Sequence, residues 1–275
     1  MQTVSWSQYL DQRSELEKTS SYFANEKIQR VWVYVADSLV SFSGNITPPA
    51  LKRSELKYYD PNGRLVKKDL FGDEGTVFMY IKFEYNTHGQ LIKKSDVDLN
   101  DKEMSTWTWN YDNSNKLISK IYKSEDGEDA PLTYTYDDSG NLIGHKEAGA
   151  EPRIYTYKFD KAKNLTYSEG KTVYLVDDRE VWKKVDESSY QYNSKNKMTE
   201  SKECYGGAGC TNNIYAYDKK GRLVKLTSMG DYHNYINTYH YEGKSMLPNI
   251  LEKKIGAAYK MEEPDSYEYY IYEKY

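Results

Sequence analysis

A seven-residue phrase recurs eight times along this chain of 275 residues. It consists of an aromatic residue, an acid or amide, two variable residues, glycine or asparagine, one further residue and leucine, as in Tyr59–Leu65 (YDPNGRL) and Tyr85–Leu91 (YNTHGQL). Successive copies begin 26, 26, 25, 23, 33, 25 and 24 residues apart. A period in this range predicts a repeat architecture, which weakens any interpretation as an enzyme. The other copies begin at Tyr111, Tyr136, Phe159, Tyr192 and Tyr217, with a degraded copy at Tyr241.

Each phrase has the chemistry of a β-hairpin turn. Asp or Asn at its second position suits the start of a type I turn, where the side chain accepts a hydrogen bond from a backbone N–H. Glycine three residues later suits the left-handed conformation of a three-residue hairpin loop with a bulge. Asn115 and Asn196 replace this glycine in two copies, and asparagine tolerates that conformation well. Lys163 occupies the position in a third copy and fits the pattern poorly.

The residues around each turn alternate with the period of a β-strand. This turn geometry predicts that Tyr59 lies opposite Leu65, and that every repeat supplies one such aromatic–aliphatic cross-strand pair. Stacked repeats would join these pairs into a tyrosine-rich core, which matches a composition of 30 Tyr against 6 Phe. Before the second turn, one face of the predicted strand carries Val77, Met79, Ile81, Phe83 and Tyr85.

The chain is therefore predicted to be an all-β array of about eight antiparallel hairpins in a strongly twisted or partly closed sheet. Residues 1–50 are predicted as an N-terminal cap and first strand, and residues 51–275 as one repeat domain. Repeat arrays need capping elements that cover an exposed edge. Trp6, Tyr9, Leu10 and Leu16 have the spacing of a short amphipathic helix for that role.

Four further segments are predicted as strands outside the repeat phrases. Val31–Val35 reads as a strand of a degenerate first repeat. Thr172–Val176 and Val181–Val185 would form an extended or additional hairpin, which accounts for the long spacing before Tyr192. The segment Tyr267–Tyr275 is dense in tyrosine and reads as a final strand.

Charge and hydropathy exclude some classes of partner. A net charge of -4 argues against a general polyanion binder, so no nucleic-acid partner is predicted. No apolar run approaches the ~20 residues of a membrane-spanning helix, and no membrane insertion is predicted.

Lysines such as Lys67, Lys68, Lys93 and Lys94 follow the repeat turns, whereas acids concentrate in the linking loops. In a meander this predicts a basic rim and an acidic rim, with solubility and edge protection as the alternative explanation.

Two cysteines bear on the compartment. Cys204 and Cys210 flank one short loop, so a disulfide between them is sterically easy and would indicate an oxidising compartment. The alternative is two reduced thiols. Residues 1–25 lack the apolar core of a secretory signal. The disulfide and the repeats together favour a secreted or cell-envelope location.

One linking loop has the oxygen-rich composition of a calcium site. Asp96, Asp98 and Asp101 alternate with other residues, and calcium prefers carboxylate oxygens. The loop lacks the glycine and distal glutamate of an EF-hand. The chain is predicted to need no cofactor, with calcium at these aspartates as the alternative. The four histidines show no metal-ligand spacing: His88, His145, His233 and His240.

Aromatic residues are the first candidates for ligand binding. Trp107, Trp109 and Trp182 are able to stack on sugar rings, although period-two placement on one face is more typical of a core. Carboxylates are abundant, but the sequence places no two at the separation that a glycoside hydrolase requires. No phosphate-binding glycine loop or nucleophile elbow is present.

The repeat phrase resembles the YD repeats of RHS-type proteins over roughly residues 50–250, best in the copies at Tyr59, Tyr136 and Tyr217. Small YD-repeat proteins of Bacteroidetes are similar in size. The resemblance implies antiparallel sheets that can spiral into a hollow shell, on secreted, surface-attached or toxin-related proteins, without catalytic residues in the repeats. Because this chain is short, we expect no enclosed cargo. Wall-binding repeats of the glucan-binding type also resemble the phrase. They rank second, because they are richer in Trp and shorter in period.

These observations predict a non-enzymatic secreted or cell-surface interaction protein. It would bind a glycan or a protein through its aromatic-rich sheet or its charged rim. One alternative is a structural scaffold or shell element of a larger assembly with no small ligand. The other is a carbohydrate-active hydrolase whose carboxylates the sequence does not locate.

Overall fold

The computed structural model describes residues 23–36, 52–138, 140, 142–147, 152–176, 179–206, 209–230, 234–241, 248, 250–255 and 266–274. These residues contain 19 β-strands and a helical turn at residues 23–25. The prediction of an all-β array of antiparallel hairpins with a short helical N-terminal element is confirmed. No helix among them combines the length and the apolar composition that crossing a membrane requires. The helix predicted at Trp6–Leu16 lies outside the described residues.

The chain divides into two compact units. Of the described residues, the first unit contains those within 23–34, 52–147 and 270–274. Consecutive strands from β2 to β7 pair antiparallel, β7 also pairs with β8 and β9, and β9 pairs with β10. The strands are β1 (Ile28–Ala36, whose last two residues belong to the second unit), β2 (Lys52–Tyr59), β3 (Leu65–Phe71), β4 (Val77–Tyr85), β5 (Leu91–Val97), β6 (Glu103–Tyr111), β7 (Leu117–Ser124), β8 (Gly127–Glu128), β9 (Leu132–Tyr136) and β10 (Leu142–Glu147).

The second unit contains the remaining described residues, 35–36 and those within 152–269. Its consecutive strands from β11 to β19 all pair antiparallel. They are β11 (Arg153–Phe159), β12 (Leu165–Val176), β13 (Arg179–Tyr192), β14 (Met198–Tyr205), β15 (Gly209–Tyr217), β16 (Leu223–Gly230), β17 (Asn234–His240), β18 (Ile250–Ile255) and β19 (Ser266–Lys274, whose end belongs to the first unit).

The additional strands predicted from the sequence are present. β1 contains the predicted strand Val31–Val35, and β19 matches the tyrosine-dense C-terminal segment. The predicted hairpin is an extension of β12 and β13, which pair from Thr172–Lys183 to Val176–Arg179. Residues 37–51 lie outside the described part of the chain, so the domain boundary after residue 50 stays a prediction.

The repeat turns have the predicted conformation. The Oδ1 atom of Asp60 accepts the backbone N–H groups of Asn62 at 3.0 Å and Arg64 at 2.9 Å. Gly63 adopts a φ of 73°, in the left-handed region. The same position has a positive φ in every repeat turn from Tyr59 to Tyr217, including the three that lack glycine. These residues are Gly63, Gly89, Asn115, Gly140, Lys163, Asn196 and Gly221.

The predicted cross-strand register is also confirmed, and it explains the tyrosine-rich core. Tyr59 lies opposite Leu65 and Tyr85 opposite Leu91. The hydroxyl of Tyr85 donates to the backbone carbonyl of Leu65 at 2.8 Å, so each ring is packed while its hydroxyl bonds to the preceding repeat. The same bond recurs from Tyr111 to Leu91, from Tyr136 to Leu117 and from Tyr241 to Leu223, at 2.8, 2.7 and 2.6 Å.

Four of the lysines that predicted a basic rim, Lys67, Lys68, Lys93 and Lys94, lie instead within strands. They follow the leucine that opens β3 or β5, and their ammonium groups pair with acids on the sheet faces. Lys68 approaches Glu55 to 3.1 Å and Lys93 approaches Glu103 to 2.6 Å. The rim prediction is wrong for these residues, because the strand begins at the leucine and so includes the positions after it. The other two pairs are Lys67 with Asp69 at 2.9 Å and Lys94 with Asp96 at 3.7 Å.

Lys163 provides a test of the turn geometry. Its φ of 65° places a residue with a Cβ in the left-handed region, which costs about 1–2 kcal/mol. Changing Lys163→Gly is expected to raise the free energy of unfolding by about 0.5–1 kcal/mol, since glycine removes this strain but loses more backbone entropy. Urea denaturation measures the change. Lys161→Gly in the same turn is the control, because Lys161 has no positive φ; an equal gain there would contradict the explanation.

Candidate binding face

The three tryptophans predicted to bind ligands lie in different surroundings. Trp109 is only 5% exposed and belongs to the core. Trp107 packs between Trp109 and Tyr122, with ring centroids 6.5 and 4.9 Å away. Trp182 is 42% exposed and lies opposite Val173, on the sheet face away from the repeat tyrosines. Trp107 and Trp109 therefore pack together in the first unit, whereas Trp182 belongs to the second unit.

The three aspartates proposed as calcium ligands use their oxygen atoms within the chain. Asp98 begins a turn like those of the repeats, and its Oδ1 accepts the N–H groups of Asn100 at 2.8 Å and Lys102 at 2.9 Å. These bonds lower the pKa of Asp98. Among the described residues, no group of three or more His, Cys, Asp or Glu is arranged to hold a metal ion. Asp96 accepts the Ser105 hydroxyl at 2.7 Å, and Asp101 accepts hydrogen bonds from Tyr80 and Lys82.

The two cysteines form a disulfide. Cys204 at the end of β14 lies directly opposite Cys210 at the start of β15, with their Cα atoms 4.1 Å apart. The bond therefore closes the hairpin beside its loop. The alternative of two reduced thiols does not describe this structure.

The second unit has a polar zone on the face that carries its repeat tyrosines, which we call the tyrosine face. Ser201, Asn213 and Ser228 lie side by side on β14, β15 and β16. All three are buried, and the Asn213 amide Nδ2 donates to the Ser201 hydroxyl at 3.1 Å. Buried polar side chains require hydrogen-bond partners. We call the row of Ser201, Asn213 and Ser228 the polar floor of the tyrosine face.

The carboxylate of Glu203 stands beside this floor. Glu203 accepts a hydrogen bond from the Ser201 hydroxyl at 3.3 Å through Oε1 and from the Tyr205 hydroxyl at 3.2 Å through Oε2. Tyr190 lies opposite Ser201 across β13 and β14, and Tyr215 follows Asn213 on the same face of β15. We call Glu203, Ser201, Tyr205, Tyr190 and Tyr215 the Glu203 cluster.

The tyrosines of the cluster share one electrostatic environment. Burial, followed by the negative charge of Glu203, raises the pKa of Tyr205 to about 12. Burial is also the main cause of the raised pKa of Tyr190 and Tyr215, where Glu203 adds to the rise and serine hydroxyls oppose it. All three hydroxyls therefore stay protonated at neutral pH and are able to donate hydrogen bonds.

An ion pair adjoins the cluster. Asp186 lies opposite Tyr205 across β13 and β14. Its Oδ2 is 2.9 Å from Nη1 of Arg153, which is more than a third exposed. The tyrosine face here offers donors, acceptors and half-buried aromatic rings within neighbouring strands. That mixture suits a ligand with many hydroxyl groups and flat C–H surfaces.

Two other glutamates face each other on the opposite side of the sheet. The Tyr167 hydroxyl is 3.0 Å from Oε2 of Glu169 and 3.1 Å from Oε1 of Glu187. Hydrogen bonds from Lys171 and Lys184, respectively, are the largest causes of the lowered pKa of these two carboxyls. Both are therefore ionised at neutral pH, which does not suit the general acid of a glycosidase.

Sequence reasoning missed the Glu203 cluster. Tyr190 and Tyr215 carried a signal, because each precedes a repeat aromatic by two positions. Glu203 carried none, since it belongs to no repeat phrase. Only the register of β13, β14 and β15 brings it to the tyrosines.

Comparison with known proteins supports the resemblance drawn from the repeat phrase. The model of the family described as Teneurin YD-shell matches residues 54–247. No curated protein matches the chain.

Several solved structures are similar to the chain. A porin-like protein from Bacteroides uniformis has a TM-score of 0.44 at 11% identity, covering 90% of this chain and 98% of that one. A porin-like protein from Bacteroides vulgatus has a TM-score of 0.31 at 12% identity, covering 76% and 98%. The TcdB2-TccC3-Cdc42 structure has a TM-score of 0.35 at 12% identity and covers 80% of this chain. This chain covers only 13% of the length of that one.

Proposed function

The chain belongs to the Teneurin YD-shell family, and from that premise we propose that it is a non-enzymatic interaction protein which binds glycans through the tyrosine face of its second unit. The observation that carries the proposal is the Glu203 cluster. A carboxylate, a serine hydroxyl and three protonated tyrosines converge there beside a buried polar floor.

This chemistry matches the requirements of sugar recognition. Sugar hydroxyls both donate and accept hydrogen bonds, so they pair well with carboxylate, amide and phenol groups. The apolar face of a sugar ring packs against an aromatic ring, and Tyr205 is 54% exposed. Tyrosine contributes such contact area at a low cost in side-chain entropy.

Two further observations support the non-enzymatic role and the location. The pKa of the carboxyl is lowered at Glu55, Asp98, Asp101, Glu103, Asp160, Glu169, Glu187 and Asp218. A general acid needs the opposite shift. The Cys204–Cys210 disulfide supports a secreted or cell-envelope location, because disulfides persist in oxidising compartments.

Titration calorimetry against a panel of soluble polysaccharides tests the proposal. We expect at least one polysaccharide to bind, and Tyr205→Ala to weaken that binding by about tenfold or more, as expected for an aromatic anchor. Phe78→Ala is a matched control, because Phe78 in the first unit is also 54% exposed. It is expected to leave the affinity unchanged.

The same experiment separates the alternatives. Binding that Tyr205→Ala and Phe78→Ala weaken equally would remove the tyrosine face as the site. If no polysaccharide binds to the folded chain, the structural scaffold becomes the better account. Release of reducing ends from any bound polysaccharide would instead support a hydrolase.

A further inference from the structure

The chain repeatedly places a cation between a carboxylate and a tyrosine ring. In the first repeat turn, Nε of Arg64 lies 2.7 Å from Asp60 Oδ2, and its guanidinium carbon lies 5.1 Å from the centre of the Tyr85 ring. The last clear turn repeats this arrangement. There Arg222 contacts Asp218 at 2.7 Å and stands 4.4 Å from the Tyr241 ring centre.

Lysines form the same arrangement on the strands of the first unit. The Lys67 ammonium is 2.9 Å from Asp69 and 4.7 Å from the Tyr80 ring centre. Lys82 is 3.2 Å from Asp101 and 5.2 Å from the same ring. A cation in this position gains both charge-assisted hydrogen bonds and attraction to the aromatic face.

The Glu203 cluster has the carboxylate and the rings of this arrangement. Within the described residues, no Lys or Arg forms an ion pair with Glu203 or stands over the ring of Tyr205 or Tyr215. Cations on neighbouring positions are engaged elsewhere. Arg153 pairs with Asp186, and Lys184 pairs with Glu187.

Lys202, on the same strand β14, does not supply a cation that pairs with Glu203. It is adjacent to Glu203 in sequence, so strand alternation directs it to the opposite face of the sheet. The carboxylate is therefore half-buried beside tyrosines and hydrogen-bonded only to neutral hydroxyl groups within the described residues.

Resting on the proposed function, we propose that the glycan carries a protonated amine, and that Glu203 binds this amine against the rings of Tyr205 and Tyr215. The ligand class is an amino sugar with a free, unacetylated amino group. Acetylation would remove the charge and with it the contact to Glu203.

Titration calorimetry with three hexasaccharides tests the inference: the β-1,4-linked hexamer of glucosamine, its fully acetylated counterpart, and cellohexaose. The pH is held below the pKa of the sugar amine. We expect the glucosamine hexamer to bind at least tenfold more tightly than either neutral oligomer. Glu203→Gln is expected to abolish this preference while retaining the fold.

Glu200→Gln is the matched control for general attraction between a cationic sugar and an acidic protein. Glu200 lies on the same strand, on the opposite face, and its substitution changes the net charge equally. It is expected to keep the tenfold preference. Equal loss in both variants would overturn the inference and assign the preference to net charge. Far-UV circular dichroism and thermal unfolding verify that each variant is folded.

The remaining outcomes distinguish the inference from the proposed function. Equal affinity for all three oligomers would overturn the inference that Glu203 recognises a protonated amine, but it would leave the proposal of glycan binding intact. If a neutral polysaccharide binds and the glucosamine hexamer does not, the inference of an amine site is likewise overturned and glycan binding remains. Spermidine binding as tightly as the glucosamine hexamer would show an amine site without sugar recognition. If no glycan of any class binds, both proposals fail.

Discussion

Replacing Leu117 with alanine is expected to lower the free energy of unfolding by about 2–5 kcal/mol. Leu117 is 1% exposed, lies opposite Tyr111, and its backbone carbonyl accepts the Tyr136 hydroxyl at 2.7 Å. Removing three carbon atoms of the side chain leaves a cavity that packed neighbours on both sides fill poorly. Urea denaturation followed by tryptophan fluorescence measures the loss.

The neighbouring residue provides a control for this result. Ile118 follows Leu117 on β7 but is 42% exposed. Ile118→Ala is expected to cost under about 1 kcal/mol, because much of its surface already contacts water. If the two substitutions cost the same, the repeat leucines would not form the core that the structure describes.

Reducing the disulfide is expected to destabilise the second unit by about 2 kcal/mol, the loop-closure entropy of so short a loop. Cys204 and Cys210 are separated by 6 positions and close the β14–β15 hairpin. Urea denaturation with and without reductant measures the difference. Reduction should also weaken glycan binding, because Glu203 and Tyr205 flank Cys204 on the same strand.

A double substitution, Cys204→Ser with Cys210→Ser, controls for other effects of the reductant. Its stability should match that of the reduced wild-type chain and should not change when reductant is added. A wild-type chain whose stability is unaffected by reductant would contradict a structural role for the bond.

The fold was largely predictable because each repeat turn is specified locally. Asp60 and Gly63 carry the hydrogen-bond acceptor and the left-handed backbone within four residues, and the turn then fixes the Tyr59–Leu65 register. Lys163 shows the limit of this local argument. It fits the turn poorly as a residue type, yet it adopts the left-handed conformation because the flanking strands impose the turn.

The candidate site was not predictable in the same way. Glu203 belongs to no repeat phrase, and its neighbours Tyr190 and Tyr215 come from different repeats. Their proximity depends on the paired registers of β13, β14 and β15, which no single turn determines. The tryptophans were visible in the sequence, but the sequence does not distinguish the buried ring of Trp109 from the exposed ring of Trp182.

Nuclear magnetic resonance of the chain with ring-labelled tyrosine tests the central claim most directly. The spectrum is recorded with and without the polysaccharide that binds most tightly, and single Tyr→Phe variants assign the signals. Glycan binding at the Glu203 cluster predicts that the ring signals of Tyr190, Tyr205 and Tyr215 shift, whereas those of Tyr85 and Tyr111 in the first unit do not. Shifts confined to tyrosines outside the Glu203 cluster, or no shifts at all, would contradict it.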